Sequence, residues 1–244
     1  MNVLVEQIME AGYAGRILTE KQLAVLIGGS KVRRYGLVNR ALKDGTLHQL
    51  KRGLCTLASH HSSGAIHPFI TAQAILPGSY ISFETALSHH GWIPEAVFTT
   101  ASVTPKRKTL THQQDNFGSF TYHPLAIHRY QFLTQIKRAR FGKQYALLAK
   151  PLRAMMDLVA YRKLTWTGLG WIEEGLRVER ASLLALHVKD FEALRSVYKH
   201  KAAQAFLAEF ECAVRDLKAT GRKRLLTGER AENDRLASTK ASIL

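Results

Sequence analysis

Gly28-Gly29-Ser30 is the punctuation that most limits how this chain can fold, because it separates two short helical patterns that each carry their own start signal. Thr19, with Gln22 three residues on, has the form of a capping box. Leu23, Leu26 and Ile27 then recur at helical spacing, so a first helix is expected to run to about Ile27. The paired glycines stop it, and Ser30 is a fresh N-cap for a second helix ending near Lys43, ahead of Asp44-Gly45. Two short helices around a tight turn form a helix-turn-helix pattern. On the second helix, Leu37, Val38, Ala41, Leu42 and Tyr35 are expected to pack inward, and Arg33, Gly36, Arg40 and Lys43 to face out. Lys31 and Arg34 sit in its first turn, where cations oppose the helix dipole and favour a bound anion such as phosphate. Thr46 to Leu50 and Leu54 to Leu57 then read as two strands around Lys51-Arg52-Gly53, a hairpin with a basic tip that forms a wing. Any small helical domain can show a solvated cationic helix. Cap, turn, basic face and basic hairpin in this order fit the docking of a winged helix on DNA.

Charge bears on the choice of partner. The 244 residues carry a formal net charge of +16, an excess that favours polyanions through counterion release. No apolar run approaches the ~20 residues that span a bilayer, and Glu6 and Glu10 interrupt any signal-peptide pattern. Cys55 and Cys212 lie far apart with no metal-ligand spacing, as suits a reducing cytoplasm, so nucleic acid is favoured over a membrane surface.

The expected class is α+β: an N-terminal winged helix-turn-helix domain over residues 1–58, a linker at 59–66, a mixed α/β domain over 67–217 with a mostly helical C-terminal part, and a basic tail over 218–244. Residues 3–11 would form a helix packed behind the helix-turn-helix, and Arg16-Ile17-Leu18 an extended piece able to pair with the wing. In the second domain a helix is expected from Pro68 to Leu76 and another after Ser82, stopping at Gly91, with His89-His90 at its end in a structural or weakly anion-binding role. Val97 to Val103 and Phe117 to His123 read as strands. Ala146 to Tyr161 reads as a helix with Pro151 in its first turn, and further helices are expected at Trp171–Arg180, Leu183–Leu186, Asp190–Tyr198 and Ala202–Leu217.

Signatures of catalysis are missing from the sequence. It has no phosphate-cradling glycine loop, no Gly-x-Ser-x-Gly elbow and no His-Glu-x-x-His stretch. Glu173 and Glu174 are adjacent on an expected helix and so diverge, while Asp115 and Glu84 lack the further carboxylates of a two-metal nuclease. His60-His61 has no third ligand in view and reads as solvated linker. No enzymatic activity, cofactor or metal is expected.

Three blocks carry a family likeness. Residues 15–58, GRILTEKQLAVLIGGSKVRRYGLVNRALKDGTLHQLKRGLCTLA, resemble the N-terminal winged helix of AbiE-type antitoxins and transcriptional regulators. Residues 80–105, YISFETALSHHGWIPEAVFTTASVTP, resemble that family's most distinctive block, a Ser-x-Glu-x-Ala-Leu helix, His-Gly, then a strand ending in Val-Thr. Residues 150–161, KPLRAMMDLVAY, are similar to its Asp-Leu helix. The chain departs from the family at Cys55, where tyrosine is common, and in the linker histidines His60-His61, which are no family hallmark. The resemblance implies a cytoplasmic phage-defence antitoxin that represses its own operon and counters a nucleotidyltransferase-like toxin encoded beside it. Stable binding of that toxin is not implied.

The expected DNA contacts are Lys31, Arg33, Arg34, Arg40, Lys43, Lys51 and Arg52, with Arg33 and Arg40 at base edges and the others at phosphates of an operator expected to be an inverted repeat. Lys106, Arg107, Lys108, Lys137, Arg138, Arg140 and Lys143 form a secondary basic strip. With Tyr130, Phe132 and Phe141 nearby, that strip supports an alternative, an RNA- or protein-binding module.

Overall fold

A computed structural model describes residues 3–58, 61, 65–114 and 116–220. The fold is α+β with two sheets. Most of the linker (Ser59, His60 and residues 62–64), Asp115 and the tail beyond Thr220, with Arg222-Lys223-Arg224, lie outside the described residues.

The N-terminal module runs α1 (Val3–Glu10), β1 (Leu18–Thr19), α2 (Glu20–Ile27), α3 (Lys31–Lys43), β2 (Leu47–Lys51) and β3 (Leu54–Leu57). Its antiparallel sheet has the order β1-β3-β2, with Leu18 opposite Cys55 and Cys55 opposite Gln49. The extended piece after Arg16 thus pairs with the hairpin as expected. Leu4, Val5 and Ile8 of α1, Leu23 and Ile27 of α2, Ala41 of α3, and Leu18, Leu47, Cys55 and Leu57 of the sheet make one buried cluster. Apolar residues three and four apart on each helix put one face inward, and alternate strand residues do the same for the sheet.

A six-stranded mixed sheet follows, in the order β6-β7-β5-β4-β9-β8. Its strands are β4 (Tyr80–Ile81), β5 (Thr99–Thr104), β6 (Leu110–Gln114), β7 (Gly118–Pro124), β8 (Ile136–Phe141) and β9 (Gln144–Ala149). Helix α4 (Pro68–Ile75) lies on one face, where the buried Tyr122 hydroxyl donates to Ala72 O at 2.7 Å and Gln73 Nε2 to Leu147 O at 3.0 Å. α5 (Phe83–His89) follows β4 directly. The helix expected from Ala146 instead begins at Pro151, and residues 146–149 are strand. A helix running through Pro151 would lose that residue's N–H and clash with the carbonyl of Leu147, and Lys150 before proline favours extended backbone. Gly142, at φ 60°, turns β8 back into β9.

The chain divides into two compact units. One holds residues up to Ala86 with Ala96–Leu125 and Ile136–Lys150; the other holds Leu87–Glu95, Ala126–Gln135 and the chain from Pro151 onward. The expected boundary at 59–66 does not separate them, because the N-terminal module is hydrogen-bonded to the six-stranded sheet. His112 Nε2 and Gln114 Nε2 both meet Leu50 O, at 2.6 and 2.9 Å, and Asn116 Nδ2 meets His48 Nδ1 at 3.2 Å.

The second unit contains α6 (Pro151–Arg162), a π-helical turn (Trp171–Gly175), α7 (Arg180–Leu184), α8 (Val188–Leu194) and α9, residues 201–220. The helix expected over Trp171–Arg180 is cut to that one turn by Arg177, which takes φ 54°. Residues 218–220, expected in the tail, continue α9, and Lys218 Nζ donates to Leu186 O. Phe206 and Phe210 pack with Trp166, whose ring is 5.1 Å from Phe206, and Phe191 packs edge-on against Phe210 at 5.5 Å.

Arg153 and Asp157, one turn apart on α6, form an ion pair at 2.9 Å with both side chains fully buried. Arg153 also donates to Thr134 O at 2.7 Å and Phe132 O at 3.3 Å, and the Tyr198 hydroxyl donates to Asp157 Oδ1 at 2.8 Å. Buried charges persist where each partner's remaining donors and acceptors are used, and here they clamp the segment 131–134 to α6.

Candidate nucleic-acid interface

Helices α2 and α3 are built from local caps. Thr19 Oγ1 accepts from Gln22 N at 3.3 Å, Gln22 Oε1 accepts from Thr19 N at 2.9 Å, and Ser30 Oγ accepts from Arg33 N at 3.3 Å. Between them Gly28 and Gly29 take φ values of 61° and 71°, the left-handed region that favours glycine.

On α3, Ala41 is buried and Leu37, Val38 and Leu42 are partly buried against the module core. Tyr35, expected inside, is 71% exposed. It lies about 120° around the helix from Ala41, too far to reach the core. Lys31, Arg33, Arg40 and Lys43 are exposed, and Arg34 is half-buried. The two arginines of the first turn fold back on the glycine turn. Arg34 Nη1 donates to Gly29 O, and a Cβ placed on Gly29 would stand 3.1 Å from Arg33 Nη1. Arg40 Nε donates to Gly36 O at 3.3 Å, so its side chain lies along the outer surface. A Cβ on Gly36 would meet nothing within 4 Å. The fold itself places no demand for glycine there.

In the β2–β3 hairpin the turn falls at Arg52-Gly53, with Gly53 at φ 79° and Arg52 exposed. Lys51 behaves differently from expectation. Its Nζ donates to Ile75 O at the end of α4, and burial followed by the charge of Lys106 lowers its pKa. The terminal carbonyls of a helix are natural acceptors for a lysine, and this bond holds the Lys51 side chain against the end of α4.

The secondary strip splits into two. Lys106, Arg107 and Lys108 are exposed on the β5–β6 loop, with Lys106 close enough to act on Lys51 electrostatically. Lys137, Arg138 and Arg140 are exposed on β8, the opposite edge of the sheet, and Lys143 is exposed at its turn. Arg138 lies 4.3 Å over the Tyr145 ring, and Arg140 Nε donates to Gly142 O at 2.8 Å. Of the aromatics expected beside this strip, Phe141 stacks on His67 at 4.1 Å and meets Phe69 at 5.2 Å, so it serves packing. Tyr130 is 91% exposed.

Two exposed ion pairs engage acidic residues. Glu173 pairs with Arg180 and Glu95 with Arg177, and in each case the arginine's hydrogen bond lowers the carboxyl pKa. Among the described residues no three His, Cys, Asp or Glu side chains are grouped to hold a metal ion, and no described helix is long and apolar enough to cross a membrane. Sequence reasoning missed the Arg153–Asp157–Tyr198 cluster, although an i,i+4 Arg-Asp pair in an otherwise apolar helix was its visible signal.

Two sheets with helices, one sheet three-stranded and one mixed and six-stranded, define an α+β fold with an exposed cationic helix at one end of the chain. No family model and no curated protein matches the chain. Among solved structures, the crystal structure of the RV2827C protein from Mycobacterium tuberculosis is similar in fold, with a TM-score of 0.55 at 13% identity, over 89% of this chain and 80% of that one.

Proposed function

We propose that this chain is a sequence-specific DNA-binding repressor and antitoxin of an AbiE-type toxin-antitoxin system, acting in the cytoplasm on its own operon and countering a nucleotidyltransferase-like toxin. One observation carries the DNA reading: Lys31, Arg33, Arg40 and Lys43 of α3 are all exposed, beside a glycine, Gly36, where an added Cβ would meet no atom within 4 Å. The reading is supported by the order of the elements, three helices with a β1-β3-β2 sheet, because the second helix of a helix-turn-helix pair enters the major groove. In this reading Arg40 approaches a base edge, Lys31, Arg33 and Lys43 neutralise phosphates, and Arg52 reaches the backbone from the hairpin. The antitoxin role rests on the resemblance of residues 80–105 and 150–161 alone.

The test is a footprint on DNA upstream of the coding region at two salt concentrations, with an unrelated duplex as competitor. A protected inverted repeat that survives competition supports the proposal. Protection indifferent to sequence at both salts refutes it. For the antitoxin role, co-expression with the neighbouring gene product should rescue growth.

A second reading is favoured by the β8 edge, where exposed Arg138 lies on the half-exposed Tyr145 ring as in platforms that stack unpaired bases. Single-stranded RNA displacing the chain from its upstream duplex would put this reading first.

A further inference from the structure

Beside its arginines, α3 carries a second line of residues opposite the buried Ala41. At ~100° per residue, Val32, Gly36, Asn39 and Lys43 fall within about 60° of one another, half a turn from the buried Ala41. Val32 is 83% exposed, a Cβ at Gly36 would meet nothing, and Asn39 is half-buried. Valine, glycine and asparagine are all poor helix formers, and packing explains neither the exposed Val32 nor the glycine at position 36. The arginines flank this line: Arg33 folds over Gly29, and Arg40 lies along the helix against Gly36 O.

From this arrangement, and resting on the DNA reading above, we infer that Val32 and Asn39 determine sequence specificity, reading A·T pairs on either side of a close approach at Gly36. Asparagine is matched to adenine, whose N6 donates and N7 accepts in the major groove, and an exposed aliphatic side chain is matched to the thymine methyl. The two residues are seven apart, about 10 Å along the helix axis, which corresponds to about three base-pair steps. Gly36 between them lets the backbone come down to the groove floor. Arg40, beside Asn39, reaches a neighbouring guanine.

The experiment is selection of full-length protein against a pool of randomised duplexes, for the wild type, Val32→Ser and Asn39→Ala. The wild type should select a motif holding an adenine and, about three base pairs away, a thymine. Asn39→Ala should lose the adenine preference with at least roughly fivefold weaker binding, and Val32→Ser should lose only the thymine preference. Uracil in place of that thymine, which deletes the methyl, should weaken wild type about fourfold and leave Val32→Ser unaffected. Unchanged affinity for a non-specific duplex at low salt serves as the control for folding and phosphate contacts. A wild-type motif that both variants still select in full, or indifference of wild type to uracil, overturns the inference while leaving the repressor reading standing. If wild type selects no motif at all, both fall.

Discussion

Replacing Gly36 by alanine should make the protein more stable and a poorer DNA binder at once. The residue sits inside a 13-residue helix with ordinary helical backbone, and an added methyl would meet no atom within 4 Å. No steric cost therefore offsets the gain in helix propensity, which is about 1 kcal/mol for glycine to alanine in a helix interior, or about 0.4 at the low end. For a chain of this size a gain of 1 kcal/mol raises the midpoint of thermal unfolding by about 2–4 °C. In the proposed complex the same methyl would stand where α3 meets the groove. Overpacking a close interface by one methyl costs about 1–3 kcal/mol, so Kd should rise roughly 5- to 150-fold. Thermal unfolding of the full chain and fluorescence anisotropy on the footprinted fragment measure the two effects. A destabilised variant would mean that the glycine serves the fold. A stabilised variant that binds DNA undiminished would mean that the outer face of α3 does not approach the duplex, and the repressor reading would lose its docking surface.

Lys51→Ala should cost about 1 kcal/mol of stability through the lost bond to Ile75 O and leave the salt dependence of binding nearly unchanged, whereas Arg52→Gln should reduce the slope of log K against log salt by about 0.9. Arg153→Met should destabilise by about 3–5 kcal/mol in urea unfolding, because it strands a fully buried Asp157, and a double variant that also replaces Asp157 by leucine should recover much of the loss. His123 has its pKa lowered by burial, partly offset by Glu84, so the unfolded chain takes up its proton first as pH drops below about 6.5; stability should fall with acidification through that window, and His123→Gln should flatten the fall in urea midpoints. A maleimide should label the exposed Cys212 in the native protein and spare Cys55, which is buried with its thiol pKa pushed up to about 11; rapid double labelling would contradict the packing of β3.

The helical part of the N-terminal module was legible because its signals are local. Thr19 with Gln22, the paired glycines and Ser30 all act within four residues of the backbone groups they satisfy, so spacing alone fixes where α2 ends and α3 begins. The hairpin at Arg52-Gly53 was visible for the same reason. Strands β6 and β8 were not, since Leu110–Gln114 and Ile136–Phe141 are polar edge strands whose state is set by neighbours they meet only in the folded sheet.

The sequence by itself determined which residues of α3 carry charge and where the helix starts and stops. Tertiary structure decided which polar groups of the neighbouring hairpin remain available. Lys51 is claimed by a carbonyl 24 residues away, and Leu50 O by Gln114 from 64 residues away. Arg153 and Asp157 are neighbours on their helix, yet they are buried as a pair because Thr134 and Tyr198 arrive to complete their hydrogen bonds. A helical period gives the direction of a side chain; whether that direction ends in water, in core or on another chain segment depends on packing between distant parts of the sequence, and no local pattern encodes it.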